Sequence, residues 1–258
     1  MAGMEGSKHG GTADVAGVFG GVLPQAPATP LLTYLDDARG ERFELVALDL
    51  ADRAARTAAL LHDDCRVGPG SRCAVLLPPH WRSAVILLGC WATGAAVEHR
   101  PWATAGLAEA DHVDAVFVSA ERLGSWLEQV PPAWHRFVVG LDCPVGDVPA
   151  GYRDLAVAMR GRQASQAPRP VFAAGSAATP DGSTHQQWGS LARAIADHAG
   201  LRPGDRVLID ADEAANDHPL RWLLAPLSVG ATIVLCARSD RDKLTRHAAE
   251  EQATHVWS

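Results

Sequence analysis

The chain has 258 residues, and 23 Lys and Arg side chains against 30 Asp and Glu side chains give it a formal net charge of −7. This length suffices for one large α/β domain or two modest ones, and 47% hydrophobic against 21% charged residues exclude a disordered chain. The acidic balance argues against a nucleic-acid-binding protein, because such proteins present a basic surface.

Two stretches of low complexity divide the chain. Residues 1–30 are rich in Gly, Ala, Pro and Thr without helical or strand periodicity, which predicts a flexible leader. A second stretch at 160–170, rich in Pro, Gln and Arg, predicts a linker. The predicted organisation is therefore a leader at 1–30, a first α/β subdomain at 31–163 and a second α/β subdomain at 164–258.

The first subdomain alternates between short apolar runs and segments with helical spacing. The run at 73–77 is typical of a buried parallel strand, and apolar residues recur at helical intervals over 48–61. The predicted strands lie at 43–46, at 73–77, after residue 95, at 115–118 and at 136–139, and the predicted helices lie at 48–61, 81–91 and 121–129.

The second subdomain repeats part of the first. Residues 201–209 echo residues 67–75, each copy follows an Ala-rich helix, and each leads through an apolar helix to a Gly-Ala pair and a strand. Alternating strands and helices imply parallel sheets covered by helices. The predicted fold is α/β, with two related parallel-sheet units flanked by helices.

The end of the second subdomain is predicted to leave a sheet edge open. A helix at 240–252 precedes a strand that starts at residue 254 and includes Val256 and Trp257. An unpaired strand edge can pair with another chain. We therefore expect a protein partner, a homodimer contact or local disorder there.

Other classes of protein and site are not favoured. The longest apolar stretch, 84–97, would span about 20 Å as a helix, which is too short to cross a membrane of about 30 Å. Residues 1–24 lack the order of a signal peptide. The five cysteines are odd in number without a Cys-x-x-Cys pair, and the histidines lack metal-ligand spacing. We expect a reduced, cytoplasmic protein without a metal site.

The segment at 171–185 is the most informative for function. It begins as an apolar strand, continues through small residues and leads into a predicted helix. Such a loop and helix N-terminus can hold phosphate through backbone N–H groups. An ordinary connection between two elements is the alternative, because small-residue loops are common.

The order of these features resembles the adenylate-forming enzymes, the superfamily of acyl-CoA synthetases and peptide-synthetase adenylation domains. The resemblance covers nearly all of residues 30–258. Residues 68–72 stand where the family has a Gly-x-x-x-Gly-Asp-Arg-Val turn, and 173–185 stand at its phosphate loop, Thr-Ser-Gly-Thr-Thr-Gly-x-Pro-Lys-Gly. The chain looks like a short offshoot of that superfamily that contains the N-terminal half only.

The resemblance implies particular site residues. Asp217 stands where adenylation domains often place an aspartate in the substrate pocket, although an acid at a helix N-terminus is the alternative. His185 corresponds to a family histidine after the loop, or else caps a helix or lies on the surface. ATP or AMP would be bound at Gly175, Ser176, Thr179, Pro180, Gly182 and His185, with a small carboxylic acid as a further ligand; catalytic residues and magnesium ligands are not assigned.

The departures from the family pattern weaken the phosphate site. Alanines at 173, 174 and 177 replace residues that would donate hydroxyl groups, and Ala178 replaces a glycine. Asp181 stands where the family has lysine, which reverses the local charge. The only lysines, Lys8 and Lys243, match neither the loop lysine nor the catalytic lysine of the family.

The first hypothesis on function is a truncated, degenerate homologue of an ATP-dependent acid-activating ligase that is not catalytic alone. The family's later motifs and its C-terminal domain would follow Ser258. The alternative is a nucleotide- or acyl-binding module or a protein-interaction module, as a subunit or fragment of a longer ligase.

Overall fold

The computed structural model describes residues 29–100, 111–123, 130–163 and 175–257. The leader, the predicted linker after residue 163 and the start of the 171–185 segment lie outside these residues. The strands are β1 (Pro30–Asp36), β2 (Glu41–Val46), β3 (Arg72–Leu76), β4 (Ala96–Arg100), β5 (Val113–Ser119), β6 (Ala133–Val139), β7 (Arg153–Asp154), β8 (Arg206–Asp210), β9 (Thr232–Ala237) and β10 (His255–Trp257). The α-helices are α1 (Ala47–Cys65), α2 (Trp81–Ala92), α3 (Leu155–Ala158), α4 (His185–His198), α5 (Ala225–Val229) and α6 (Arg241–Glu250).

Two five-stranded sheets form the described part of the chain, in agreement with the α/β prediction. One has the strand order β4-β3-β5-β6-β7 and is parallel throughout. The other has the order β10-β8-β9-β1-β2 and is parallel except for the antiparallel pair β1 and β2. The predicted α/β fold with two related parallel-sheet units is confirmed.

The internal repeat is visible in the register of the strands. Arg72 of β3 pairs with Ala96 of β4, and Arg206 of β8 pairs with Thr232 of β9. The second residue of each pair follows the first by 24 and 26 positions respectively, so the two copies build the same pair of adjacent parallel strands.

The hairpin β1–β2 extends the second sheet, a feature that the sequence prediction missed. The prediction began the first strand at residue 43, but β1 starts at Pro30 and pairs in parallel with β9, with Leu32 opposite Ile233. The partner strand lies about 200 residues away, and local periodicity carries no information about it. Residues 30–46 therefore join the sheet of the second predicted subdomain, and the division at 163 and 164 does not separate the two sheets.

Two further differences concern helices. Residues 121–123 form a turn, and the rest of the helix predicted at 121–129 lies outside the described residues. The apolar helix predicted before Gly230 is divided into a 3₁₀ turn at Glu213–Asn216, a π-helical turn at Leu220–Leu224 and α5. Pro226 has no N–H to donate back to the preceding turn, which disfavours a regular α-helix there.

Helix α2 is the central element of the core. Its residues from Trp81 to Trp91 are nearly all buried, as expected for a helix that is apolar on every side. Gly89 allows α1 to approach, since a Cβ there would lie 2.6 Å from the Cβ of Thr57. One hydrophobic cluster includes residues of both sheets and of α1, α2 and α4, and it joins the two units.

An ion-pair network also joins the two sheets. Arg238, directly after β9, pairs with Asp36 of β1 and with Asp142 after β6, where Nη1 lies 2.9 Å from the carboxylate. Its backbone N–H donates to Asp212 at 2.8 Å. Asp36 is almost fully buried, so this arginine neutralises a carboxylate that water cannot reach.

The edge prediction for β10 is confirmed as far as the sheet itself is concerned. Among the described strands, β10 pairs with β8 alone, and Val256 is half exposed. Whether another chain pairs there stays a prediction. Within the described ranges no helix is both long and apolar enough to cross a membrane.

Candidate nucleotide site

The loop at 175–184 connects the segment outside the described residues to α4 and lies at the C-terminal end of α2. Ala178 is fully buried, and its carbonyl accepts hydrogen bonds from the indole N–H of Trp91 at 3.1 Å and from the backbone N–H of Val97 at 2.8 Å. These two bonds fix the 175–184 loop against α2 and β4. The residue that replaces a family glycine is thus the anchor of the loop.

The outer part of the 175–184 loop is a tight turn. The N–H of Gly182 donates to the carbonyl of Thr179 at 3.0 Å, and the N–H of Ala178 donates to the carbonyl of Ser183 at 2.7 Å. Pro180 occupies the position of a β-turn that favours proline, and Gly182 has φ of +88°, which favours glycine. Pro180 and Gly182 therefore have a complete structural role in the turn.

The carboxylate of Asp181 closes this turn. It accepts hydrogen bonds from the hydroxyl of Thr179 at 2.6 Å and from the N–H of Ser183 at 3.0 Å. These bonds hold the pKa of Asp181 below its ordinary value. At neutral pH the carboxylate is charged and occupies a backbone donor of the loop.

The N-terminus of α4 is likewise occupied by protein acceptors. Thr184 accepts from the N–H of Gln187 at 3.2 Å, and the Gln187 side chain accepts from the N–H of Thr184 at 2.8 Å, which forms a capping box. The N–H of His185 donates to the carbonyl of Ser176 at 3.0 Å. The backbone N–H groups with acceptors within the protein are those of Ala178, Thr179, Gly182, Ser183, Thr184 and His185.

The remaining predicted nucleotide residues differ in exposure. Gly175 is exposed and Ser176 is half buried, whereas the side chain of His185 is fully buried at the first residue of α4. A surface position for His185 is therefore wrong. The prediction that these residues contact a nucleotide remains untested.

Asp217 lies between the 3₁₀ turn and the π-helical turn. Its carboxylate pairs with Arg221 at 2.9 Å, and both side chains border a cavity of about 140 Å³ next to Trp222 and Trp257. The pair neutralises the charge that an acid in a substrate pocket would otherwise present. The predicted role of Asp217 in substrate binding stays a prediction.

Several residues that the sequence analysis did not single out lie near the 175–184 loop. His218 packs edge-on against Trp188 of α4, with ring centroids 4.5 Å apart, and His99 of β4 lies 6.4 Å from Trp222. The sequence contains one indication that His218 lies near the candidate site, because this residue directly follows Asp217. We refer to His99, Trp188, His218 and Trp222 as the histidine–tryptophan cluster.

The pKa values of both histidines of this cluster lie below the ordinary value for histidine. Burial lowers the pKa of His99 to about 4, although its hydrogen bond to the carbonyl of Leu77 opposes this change. Burial also lowers the pKa of His218, and the nearby carboxylate of Asp181 opposes the shift only in part. The charged group that the 175–184 loop adds to this surface is thus the carboxylate of Asp181.

A metal centre is not evident in the part of the chain that the structure describes. No group of three or more His, Cys, Asp or Glu side chains in these ranges is arranged to hold a metal ion. Magnesium ligands therefore cannot be named from these residues.

Comparison with known proteins agrees with the architecture. No family model matches the chain. Among solved structures, the fold is similar to an acyl-CoA synthetase from Brucella canis (TM-score 0.70, 17% identity, 94% of this chain and 46% of that one). It is also similar to an acetoacetyl-CoA synthetase from Streptomyces lividans (0.68, 17%, 94% and 42%) and a benzoate CoA ligase from Burkholderia xenovorans LB400 (0.66, 18%, 94% and 49%).

The solved structures share the fold, and this chain spans about half of their length. A closer relative is the TIGR03089 family protein of Mycobacterium tuberculosis, which is 38% identical over 243 residues. That match includes 91% of this chain and 94% of the relative. This chain therefore belongs to the TIGR03089 family, and its fold is that of about half of an acyl-CoA synthetase.

Proposed function

We propose that this chain is a truncated, degenerate homologue of an ATP-dependent acid-activating ligase and does not adenylate acids by itself. In the parent reaction a carboxylate attacks the α-phosphate of ATP and displaces pyrophosphate, and loop donors, a metal ion and a lysine stabilise the charge that develops. The similarity of fold to acyl-CoA synthetases supports the ancestry. The hydrogen bonds within the 175–184 loop, which occupy its backbone donors, support the loss of activity.

The observation that carries this proposal is the turn closed by Asp181. A phosphate loop binds through backbone N–H groups that have no other acceptor. Here the N–H of Ser183 is bound by the Asp181 carboxylate, and the N–H groups of Thr184 and His185 have acceptors within the protein. A phosphate would have to displace these acceptors and approach a negative charge.

A second candidate function, binding of an acyl group or a nucleotide without catalysis, is favoured by the histidine–tryptophan cluster. His218 is exposed near the 175–184 loop and packs edge-on against the buried Trp188, and its imidazole provides a flat surface on which an aromatic ring or adenine could stack. ATP, AMP and a small carboxylic acid are the ligands to be tested. As the setting we propose the cytoplasm, with a second copy or another protein at the open edge of β10.

The test is pyrophosphate exchange with a panel of carboxylic acids, combined with calorimetry using ATP and AMP. The wild type should show no exchange and no saturable ATP binding at millimolar concentration. Exchange by the wild type that Gly175→Val abolishes would contradict the loss of activity. Binding of AMP without exchange would favour the second candidate.

The variant Asp181→Lys separates the charge effect from the rest of the loop. It opens the turn and replaces a repulsive charge with an attractive one, so ATP binding, which is not saturable in the wild type, should become measurable at millimolar concentration, a gain of about fivefold or more, the size expected for exposed charges. Asp147→Lys makes the same charge change in an exposed loop and is the matched control. Equal effects of the two variants would show that net charge alone, not the Asp181 turn, controls ATP binding.

A further inference from the structure

A second concave site lies at the opposite end of α2 from the 175–184 loop. It has a volume of about 430 Å³, which is within the range of small-molecule sites. Trp81 and Trp91 are ten residues apart on α2, which places the two ends about 15 Å from each other along the helix axis. The cavity lies between α1 and α2, with the chain after β6 and α3 as its other walls.

The first unusual feature of this cavity is Arg82. The side chain is half buried, and its guanidinium carbon lies 4.3 Å from the centroid of the Trp81 ring. The Nε atom is buried and has no hydrogen-bond partner. Among the described residues no carboxylate forms an ion pair with this guanidinium, and burial, the largest effect, lowers the pKa of Arg82.

A second arginine approaches the same indole. The guanidinium carbon of Arg53 lies 5.5 Å from the Trp81 ring and 5.8 Å from the Phe43 ring. Phe43 and Trp81 are stacked, with centroids 4.2 Å apart. Repulsion by Arg53 also lowers the pKa of Arg82, although the attraction of Glu41 opposes it with a larger effect. Arg53 also lacks an ion pair within the part of the chain that the structure describes.

The acidic residues of the cavity do not neutralise this pair. Asp52 is 2.7 Å from Arg56 and forms an ion pair with it. Asp49 is exposed in the first turn of α1, where its carboxylate favours the helix dipole. Three arginines against two aspartates leave the cavity with an excess of one positive charge.

Apart from Thr57, the rest of the wall is apolar. An ammonium or guanidinium group on an aromatic face is attracted to it, but two cations on one ring also repel each other. An anion placed between them would offset this repulsion and accept charge-assisted hydrogen bonds from the guanidinium groups. The apolar side chains beside the arginines are Val85, Ile86, Val139, Leu155 and Met159.

We propose that this cavity binds an amphipathic anion, whose carboxylate or phosphate head group is held by Arg53 and Arg82 and whose hydrocarbon part packs against the apolar wall. The site is separate from the 175–184 loop. The proposal does not depend on whether the 175–184 loop binds ATP. Failure of the ATP-binding test would leave the anion proposal standing, and failure of the anion-binding test would leave the proposed function standing.

The test uses the full chain and simple probes, measured by isothermal titration calorimetry. Octanoate and octyl phosphate, each below its micelle concentration, carry the two head groups on one hydrocarbon body, and their affinities distinguish a carboxylate from a phosphate ligand. Octanol lacks the charge, and inorganic phosphate lacks the hydrocarbon. At least one octyl anion should bind saturably and at least tenfold more tightly than either control compound.

Variants assign the binding to the arginines. Arg82→Met preserves the volume of the side chain and should weaken binding at least tenfold, as expected for the loss of a charge-assisted hydrogen bond. Arg82→Lys should recover part of the affinity. Arg246→Met removes an exposed arginine of α6 and should have no effect. Should Arg82→Met fail to fold, Arg53→Met provides the same comparison with an expected loss of at least threefold.

Three results would overturn the proposal. One is the absence of saturable binding by both octyl anions. The second is equal affinity for octanol and the octyl anions, which would indicate a purely apolar site. The third is the same loss of affinity in Arg246→Met as in Arg82→Met, which would indicate a general charge effect.

Discussion

The two ends of α2 differ in whether their charged and polar groups have partners within the protein. At its C-terminal end, the 175–184 loop resembles a phosphate site in sequence order, yet its donors and its carboxylate are bound to each other. At its N-terminal end, Arg53 and Arg82 share one indole without a described carboxylate partner. The comparison teaches that a binding site is indicated by polar groups that remain unsatisfied, more than by residues in family positions.

The largest effect should come from the anchor of the 175–184 loop. Trp91→Ala removes a fully buried indole and its bond to the Ala178 carbonyl, so the free energy of unfolding should fall by about 4 kcal/mol. Chemical denaturation measures this loss. Trp134→Ala, at a site that is 74% exposed, is the matched control and should cost less than about 1 kcal/mol. Similar losses would show that Trp91 is not a core anchor.

The next effect compares a paired arginine with an unpaired one. Arg238→Met leaves the buried Asp36 without its cation and should lower the free energy of unfolding by about 2 to 3 kcal/mol, after allowance for the partial exposure of Arg238. Arg82→Met, at the cavity end of α2, should cost less than about 1 kcal/mol because it removes a charge that has no ion-pair partner among the described residues. A large loss in Arg82→Met would show that Arg82 is already satisfied in the free protein and would weaken the proposed anion site.

The smallest effect concerns the pH dependence of stability that two largely buried histidines, His80 and His99, produce. Burial, with a further contribution from the charge of Arg82, lowers the pKa of His80 to about 3, and burial lowers that of His99 to about 4. In the unfolded chain histidine has a pKa of about 6.5. The unfolded state therefore binds more protons below pH 6.5, and stability is complete above that pH and falls as the pH drops towards 4 and then 3.

Urea denaturation between pH 7 and pH 5 measures this dependence. Each histidine should contribute a slope of up to about 1.4 kcal/mol per pH unit. His80→Asn retains an acceptor for the N–H of Arg82 at the N-cap of α2, and it should remove one of these contributions. His99→Gln should remove the other, whereas His198→Gln, at an exposed site on α4, should leave the slope unchanged. An unchanged slope in both test variants would show that neither imidazole is held neutral by burial.

Much of the architecture could be predicted because its signals are local. The apolar run in β3, the helical spacing in α1 and the repeated turn before β3 and β8 indicate the same elements in sequence and structure. The turn at 179–182 was also available, since Thr-Pro-Asp-Gly is a sequence that favours a tight turn. These residues also stand in the position of the family's phosphate loop, and that resemblance does not predict the turn.

Other features depend on contacts between distant parts of the chain. β1 required β9 as its partner, about 200 residues away. His99 and His218 approach the 175–184 loop only when the sheets assemble. These contacts cannot be read from periodicity, because it describes which face of an element is apolar and not which element covers that face.

The sequence by itself determined the α/β class, the repeated strand–helix–strand unit and the charge reversal at Asp181, because each depends on neighbouring residues. The tertiary structure alone decided that the Asp181 carboxylate closes the loop and that Arg53 and Arg82 meet over Trp81. Arg53 comes from α1 and Arg82 from α2, and the packing of these helices brings the two charges together. Whether a charged group is paired depends on such packing, since electrostatic interactions act through distance in space and not along the chain.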